Sequence, residues 1–123
     1  MDTGRKVSGG KLHAFRKGKK FEHRGQPNIV KLAKVKKKKV RLLGGNKRTV
    51  LLTSDTANIL DKKTGKSSPG KIKNVLETPS NRFWARQNIL VKGSIIETDK
   101  GRARITNRPS REGSVQAELL SGE

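Results

Sequence analysis

The stretch from 92 to 120 reads KGSIIETDKGRARITNRPSREGSVQAELL, and it decides the fold. Residues 94–98 predict a strand with Ile95 and Ile96 at its centre. Asp99, Lys100 and Gly101 then signal a turn, because glycine accepts the positive φ that a tight hairpin needs. From 102 to 106 the residues alternate, with Ala103 and Ile105 on one side and Arg102, Arg104 and Thr106 on the other. The segment from Arg108 through Pro109 to Gly113 breaks the pattern, and Val115, Ala117 and Leu119 resume the two-residue period. Three short antiparallel strands follow from this, with one apolar face and one face carrying arginines.

Working outward, the segment 28–43 begins with apolar Ile29, Val30 and Leu32 and passes into Lys34, then Lys36, Lys37, Lys38, Lys39, Val40 and Arg41. As a strand it would turn Val40 and Leu42 inward together. A lysine run is ordinarily a solvated face. Placed directly before a strand, this one reads as an extended segment laid against a phosphate backbone. Gly44, Gly45, Asn46 and Lys47 are a hairpin signal, and 48–53 is the returning strand, opened by Arg48 and centred on Val50, Leu51 and Leu52.

Residues 55–60 predict another short strand, 61–70 a polar turn or loop, and Ile72, Val75 and Leu76 a further strand with Lys71 and Lys73 on its outer side. Thr78, Pro79, Ser80 and Asn81 look like a helix start, with Thr or Ser as the cap and Pro in the first turn. One or two turns would follow over 82–87. In them Arg82 and Arg86, four apart, share a face, and Trp84 is read as a core anchor in preference to a base-stacking platform.

The chain before residue 28 is rich in glycine and lysine, which disfavours a long helix. Lys11, Arg16, Lys17, Lys19, Lys20 and Arg24 are interleaved with Phe15 and Phe21. Two readings compete: a solvated tail, and an arm that orders when its cations meet phosphates and its rings pack on bases or sugars. The two phenylalanines favour the arm. The predicted fold is all-β: a small antiparallel β-barrel of about six strands with one short helix and a long basic N-terminal extension. The extension covers 1–35 and the barrel domain 36–123.

Charge points to a polyanion. The 123 residues carry 30 Lys and Arg against 10 Asp and Glu, a net charge of +20. Residues 1–48 hold 17 of those cations and 2 of the acids. Such self-repulsion does nothing for folding, and a polyanionic partner accounts for it. With 30% hydrophobic residues the core must be small and confined to the second half. Without cysteine there are no disulfides or thiolate metal sites, which fits a reducing compartment. There is no apolar run long enough for a membrane span, no apolar secretory leader, and no basic helix with the apolar face that a membrane surface requires.

No catalytic constellation emerges. His13 and His23 both lie in the basic arm, without the ligands a zinc site needs. Asp55, Asp61, Glu77, Glu97 and Asp99 show no spacing specific for metal-assisted hydrolysis. The Gly44–Lys47 sequence lacks the Gly-Lys-Ser/Thr ending of a phosphate-binding P-loop. The expectation is no enzyme, no cofactor and no small-molecule substrate.

A set of pieces spread over nearly the whole chain carries a family resemblance. They are Ser8-Gly9-Gly10-Lys11, Lys20-Phe21-Glu22, Arg41 with Gly44-Gly45-Asn46, and Thr56-Ala57-Asn58-Ile59. Asn81-Arg82, Ile89, Lys92-Gly93, Ile96-Glu97-Thr98, Gly101-Arg102-Ala103, Thr106, Arg108-Pro109 and Gly113 follow in order. Together they resemble the eighth small-subunit ribosomal protein of the archaeal and eukaryotic type, at archaeal length, a family unrelated to the bacterial protein of that number. His23-Arg24-Gly25 and Ser110-Arg111-Glu112 depart from its pattern. The resemblance implies a β-barrel with a basic extension bound to small-subunit ribosomal RNA, beside neighbouring ribosomal proteins, in the cytoplasmic ribosome.

The residues expected to contact RNA are Lys11, Arg16, Lys17, Lys19, Lys20, Phe21 and Arg24 in the arm. Lys36 to Lys39, Arg41, Asn46, Lys47 and Arg48 follow in the hairpin. Arg82, Arg86, Lys92, Arg102, Arg104 and Arg108 complete the set. A DNA-compacting chromatin-type basic protein is the alternative that charge alone would equally allow.

Overall fold

The structure is a computed structural model and describes residues 4–12, 16–22 and 28–120. Among the described residues there are two short 3-10 turns, eight strands and one short α-helix: β1 (Lys31–Leu32), β2 (Lys36–Arg41), β3 (Lys47–Ser54), β4 (Thr56–Leu60), β5 (Ser67–Glu77), α1 (Arg82–Arg86), β6 (Ile95–Thr98), β7 (Gly101–Ile105) and β8 (Gln116–Leu119).

The strands divide into two groups. β4 to β8 close into a five-stranded barrel, while β1, β3 and β2 form a separate sheet in that order. The all-β barrel expected from sequence is present, but the lysine-rich strand and its partner lie outside it. The barrel is also not wholly antiparallel, since β8 closes it by running parallel to β4, with Asn58, Ile59 and Leu60 opposite Gln116, Ala117 and Glu118. Each of the five strands is antiparallel to the one before it, so the last and the first run the same way where the barrel closes.

β6, β7 and β8 follow the alternation read from the sequence. Ile96, Ala103, Ile105, Val115 and Ala117 are all buried, while Arg102 and Arg104 are exposed. The β6–β7 turn places Gly101 at φ +122°, the conformation the turn signal required. Thr98 Oγ1 donates to the Gly101 carbonyl at 2.7 Å and accepts the Lys100 N–H at 3.3 Å, pinning the turn.

β5 is longer than expected. Its 11 residues begin at Ser67, so Pro69 and Gly70 lie inside a strand where the sequence suggested loop. Gly70 makes this possible: a Cβ there would collide with Ile59 Cδ1 and stand 2.8 Å from Asp99 Oδ1. The helix cap is also displaced from the expected Thr or Ser. Asn81 is the extended capping residue, its Oδ1 accepting the Phe83 N–H at 3.0 Å. Thr78 is buried, with its hydroxyl 3.2 Å from that of buried Ser94. Trp84, expected as a core anchor, is only half-buried, and from this helix it is Ala85 that packs against the core.

The core joins both groups of strands. Val30 and Leu51 come from the first sheet and its approach, and ten further buried residues from Ala57 to Ala117 come from the barrel strands and the segments that lead into β6 and β8. Val30, only 1% exposed, therefore extends the core into the first half of the chain. The Leu90 N–H bonds the Val30 carbonyl at 2.8 Å and the Leu32 N–H bonds the Asn88 carbonyl at 2.9 Å, tying β1 to the segment after α1. Thr49 packs against Gly113, where an added Cβ would lie 3.2 Å from Thr49 Cγ2. Leu42, expected to point inward, is exposed, because the strand ends at Arg41 and Leu42 enters the hairpin loop.

Candidate nucleic-acid interface

β2 is an edge strand, paired only with β3, and its burial pattern leaves Lys36, Lys37, Lys38, Lys39 and Arg41 exposed. A charged edge discourages strand addition, and a lysine or two suffices for that. Here the charge extends through the whole hairpin. Lys37 lies opposite Leu51, Lys39 opposite Thr49, and Arg41 opposite Lys47, while Lys38 opposes Val50 and Val40 opposes Arg48. Directly opposed residues share a face, so Lys37, Lys39, Arg41 and Lys47 line one side, with Lys38 and Arg48 on the other. Arg41 against Lys47 is a like-charge pair, unfavourable unless an anion bridges it.

Nothing within the hairpin offsets this charge. Nine Lys and Arg fall between Lys31 and Ser54, with no Asp or Glu. Among the described residues the ion pairs are Arg16–Glu22 and Lys62–Glu118, neither of them in the hairpin. The tip is stiff. The Leu42 N–H bonds the Asn46 carbonyl at 2.6 Å, Asn46 Nδ2 bonds the Leu43 carbonyl at 3.3 Å, and Gly44 and Gly45 take φ of +71° and +76°. Asn46 thus shapes the loop, and Leu43 projects fully at its end.

In the arm, a bridge pairs Arg5 with Lys11, and one turn of 3-10 helix spans Lys20–Glu22. Phe21 is exposed on that turn, with Lys19 Nζ 5.9 Å from its ring centroid. Lys11, Arg16, Lys17, Lys19 and Lys20 are all exposed. Arg24, with His13, Phe15 and His23, lies outside the described residues.

The outer face of the barrel carries the expected arginines, with acids beside them. Arg102 sits directly opposite Glu97, and Arg104 opposite both Ile95 and Glu118. Glu118 also pairs with Lys62 at 2.8 Å. Acid and base thus alternate across β6, β7 and β8. Lys92, before β6, and Arg108, in the β7–β8 loop, are exposed, as are Arg82 and Arg86 on α1. Glu112 is engaged within its own loop, accepting from Asn107 Nδ2 at 2.9 Å.

The family described as ribosomal protein S8e matches residues 2–120. This chain belongs to the S8e ribosomal protein family. It is 40% identical over 116 residues to the small ribosomal subunit protein eS8 of Methanosarcina barkeri, covering 94% of this chain and 93% of that one. It is 39% identical, with the same coverage of both chains, to the eS8 protein of Methanocorpusculum labreanum.

Within this S8e chain, the structure gathers Lys36 to Lys39, Arg41, Lys47 and Arg48 on one hairpin, and leaves Arg102 and Arg104 beside acids. Sequence reasoning passed over Lys31 and Lys34, which belong to the same acid-free segment. The missing carboxylates between Glu22 and Asp55 were the signal that would have included them. It also passed over Asn74 and Asn88, which line a groove beside Arg82 and Arg86. No local pattern brings residues of β5 and the helix exit together.

Proposed function

We propose that this chain is a structural constituent of the small ribosomal subunit, binding and stabilising folded ribosomal RNA during translation in the cytoplasm. The observation that carries the reading is the acid-free β2–β3 hairpin, cationic on both faces and held out on a sheet edge. Membership of the S8e family, and relatives named as small ribosomal subunit proteins, support the same assignment. Its part is structural, and its partners are small-subunit ribosomal RNA and neighbouring ribosomal proteins.

The physical work is charge neutralisation. RNA helices repel where they crowd together, and Lys and Arg seated on their phosphates release condensed counterions. The hairpin supplies a rigid row of cations, and the N-terminal extension, read as residues 1–35, supplies further ones from the part that precedes Val30, where the chain enters the core. The body, residues 36–123, offers a mixed-charge barrel face. That face suits shape recognition of an RNA tertiary structure better than it suits non-specific attraction.

The test is sedimentation with salt-washed small ribosomal subunits through sucrose gradients, with duplex DNA as competitor. The expected result is retention on the small subunit at salt concentrations that strip DNA from the protein. Equal displacement by DNA would overturn the assignment.

A further inference from the structure

Arg82 and Arg86, one helical turn apart on α1, line an open groove of about 460 Å³ between the helix and β5. Val75, Leu76 and Ala85 supply its apolar lining, and Asn74 and Asn88 its other polar groups. Both carboxamide oxygens are engaged: Asn74 Oδ1 and Asn88 Oδ1 accept from the same Val75 N–H, at 2.9 and 3.2 Å. Their NH2 ends remain for further bonds, and a guanidinium carries donors only. No carboxylate lines the groove, and neither arginine is in an ion pair among the described residues. A complementary ligand must therefore bring acceptors.

Beside the groove stands an aromatic surface. Phe83 is 55% exposed, and the Arg82 guanidinium carbon lies 5.3 Å from its ring centroid. An exposed ring with a cation at its face is a platform on which a base can stack. The platform is fixed at both ends of the helix. Asn81 caps its start, and at its exit Asn88 takes φ +52° while the Ile89 N–H bonds the Trp84 carbonyl at 3.0 Å.

We propose that this groove takes one unpaired nucleotide of an RNA, its base against Phe83 and Arg82 and its phosphate on Arg86. The proposal rests on the reading that the chain binds ribosomal RNA, and adds to it a site where a single extruded base is held. Single-stranded loops and bulges are where RNA offers bases to aromatic and guanidinium planes. The cavity volume is in the range of small-ligand pockets. An acidic peptide would satisfy the arginines but leave the ring unused, so the nucleotide is the better complement.

The test is base-reactivity footprinting of an archaeal small-subunit ribosomal RNA transcript, with the full-length chain, Phe83→Ala and Arg86→Gln, alongside affinities across a salt series. The parent is expected to protect an unpaired base that both variants leave reactive. Phe83→Ala should lower affinity roughly ten-fold with the salt slope unchanged, as loss of a stacked base does. Arg86→Gln should reduce that slope by about 1. Other protections and the melting temperature should stay at parent values. If both variants keep the parent's footprint and affinity, the nucleotide site is overturned, RNA binding stands, and the groove falls to a protein partner. No footprint from the parent would overturn both readings.

Discussion

Arg16 grips the Glu22 carboxylate with both terminal nitrogens, Nη1 at 2.8 Å and Nη2 at 2.6 Å. The same carboxylate accepts the Lys19 N–H at 2.9 Å, closing the turn that displays Phe21. Glu22 is the one acid among the described residues before Asp55. A carboxylate in a chain that binds a polyanion is unfavourable by charge alone, so this one is held for its geometry.

Glu22→Ala therefore separates two effects of opposite sign. Pure electrostatics makes the variant bind RNA more tightly, because a negative charge is gone. Loss of the turn makes it bind more weakly, because Arg16 and Phe21 are no longer pre-positioned. Weaker binding in a filter or fluorescence titration is the expected outcome, and tighter binding would remove the positioning role.

The Arg16 partner, and after it the Lys19 N–H, hold the Glu22 carboxyl below its ordinary pKa. A depressed pKa in the folded state means that the carboxylate's contribution is present above the unfolded value. It is lost only as pH falls through the depressed one. The Glu22 carboxyl carbon should thus titrate below the ordinary glutamate value in an NMR series, and in Arg16→Gln its midpoint should rise toward that value.

Replacing Lys36, Lys37, Lys38 and Lys39 together with Gln tests the hairpin. Each phosphate contact contributes roughly 0.7–0.9 to the slope of log K against log salt, so the slope should fall by about 2–4. All four side chains are exposed on an edge strand, so the melting temperature should hardly move. A parent-like slope would show that the run does not touch phosphate. An early melt would show that it belongs to the fold.

Two glycines are required for opposite reasons. Gly101 has room, since an added Cβ would meet only Leu119 Cδ2 at 3.7 Å, but its φ of +122° excludes a branched side chain. Gly70 has an ordinary φ and no room, being closed in by Ile59 and Asp99. Gly101→Val and Gly70→Ala should each destabilise by about 1–3 kcal/mol in denaturant melts, through backbone strain and overpacking respectively.

Ile105→Asp places a carboxylate at a position 1% exposed in the core, with no cation facing it among the buried residues. Burying an unpaired charge is among the few single changes that defeat a small fold outright. Loss of the cooperative melt should precede any loss of RNA binding, which then fails only because the fold has failed.

Residue order along the chain was enough for β6, β7 and β8, the turn at Gly101, the lysine-rich β2–β3 hairpin, and the family. Each is written in local terms: a two-residue period, a glycine where φ must be positive, a run of charge without acids, an ordered series of short motifs. Packing in three dimensions put β2 and β3 outside the barrel, closed it with β8 parallel to β4, and made Val30 a core residue. It alone set Arg102 against Glu97 and Arg104 against Glu118, and opened a groove between Asn74 and Arg86. Alternation tells which side of a strand is buried, but not which strand lies beside it. Asn58 and Gln116 are neighbours because the barrel closes there. That pairing is fixed by how the whole apolar set packs, which no window along the chain contains.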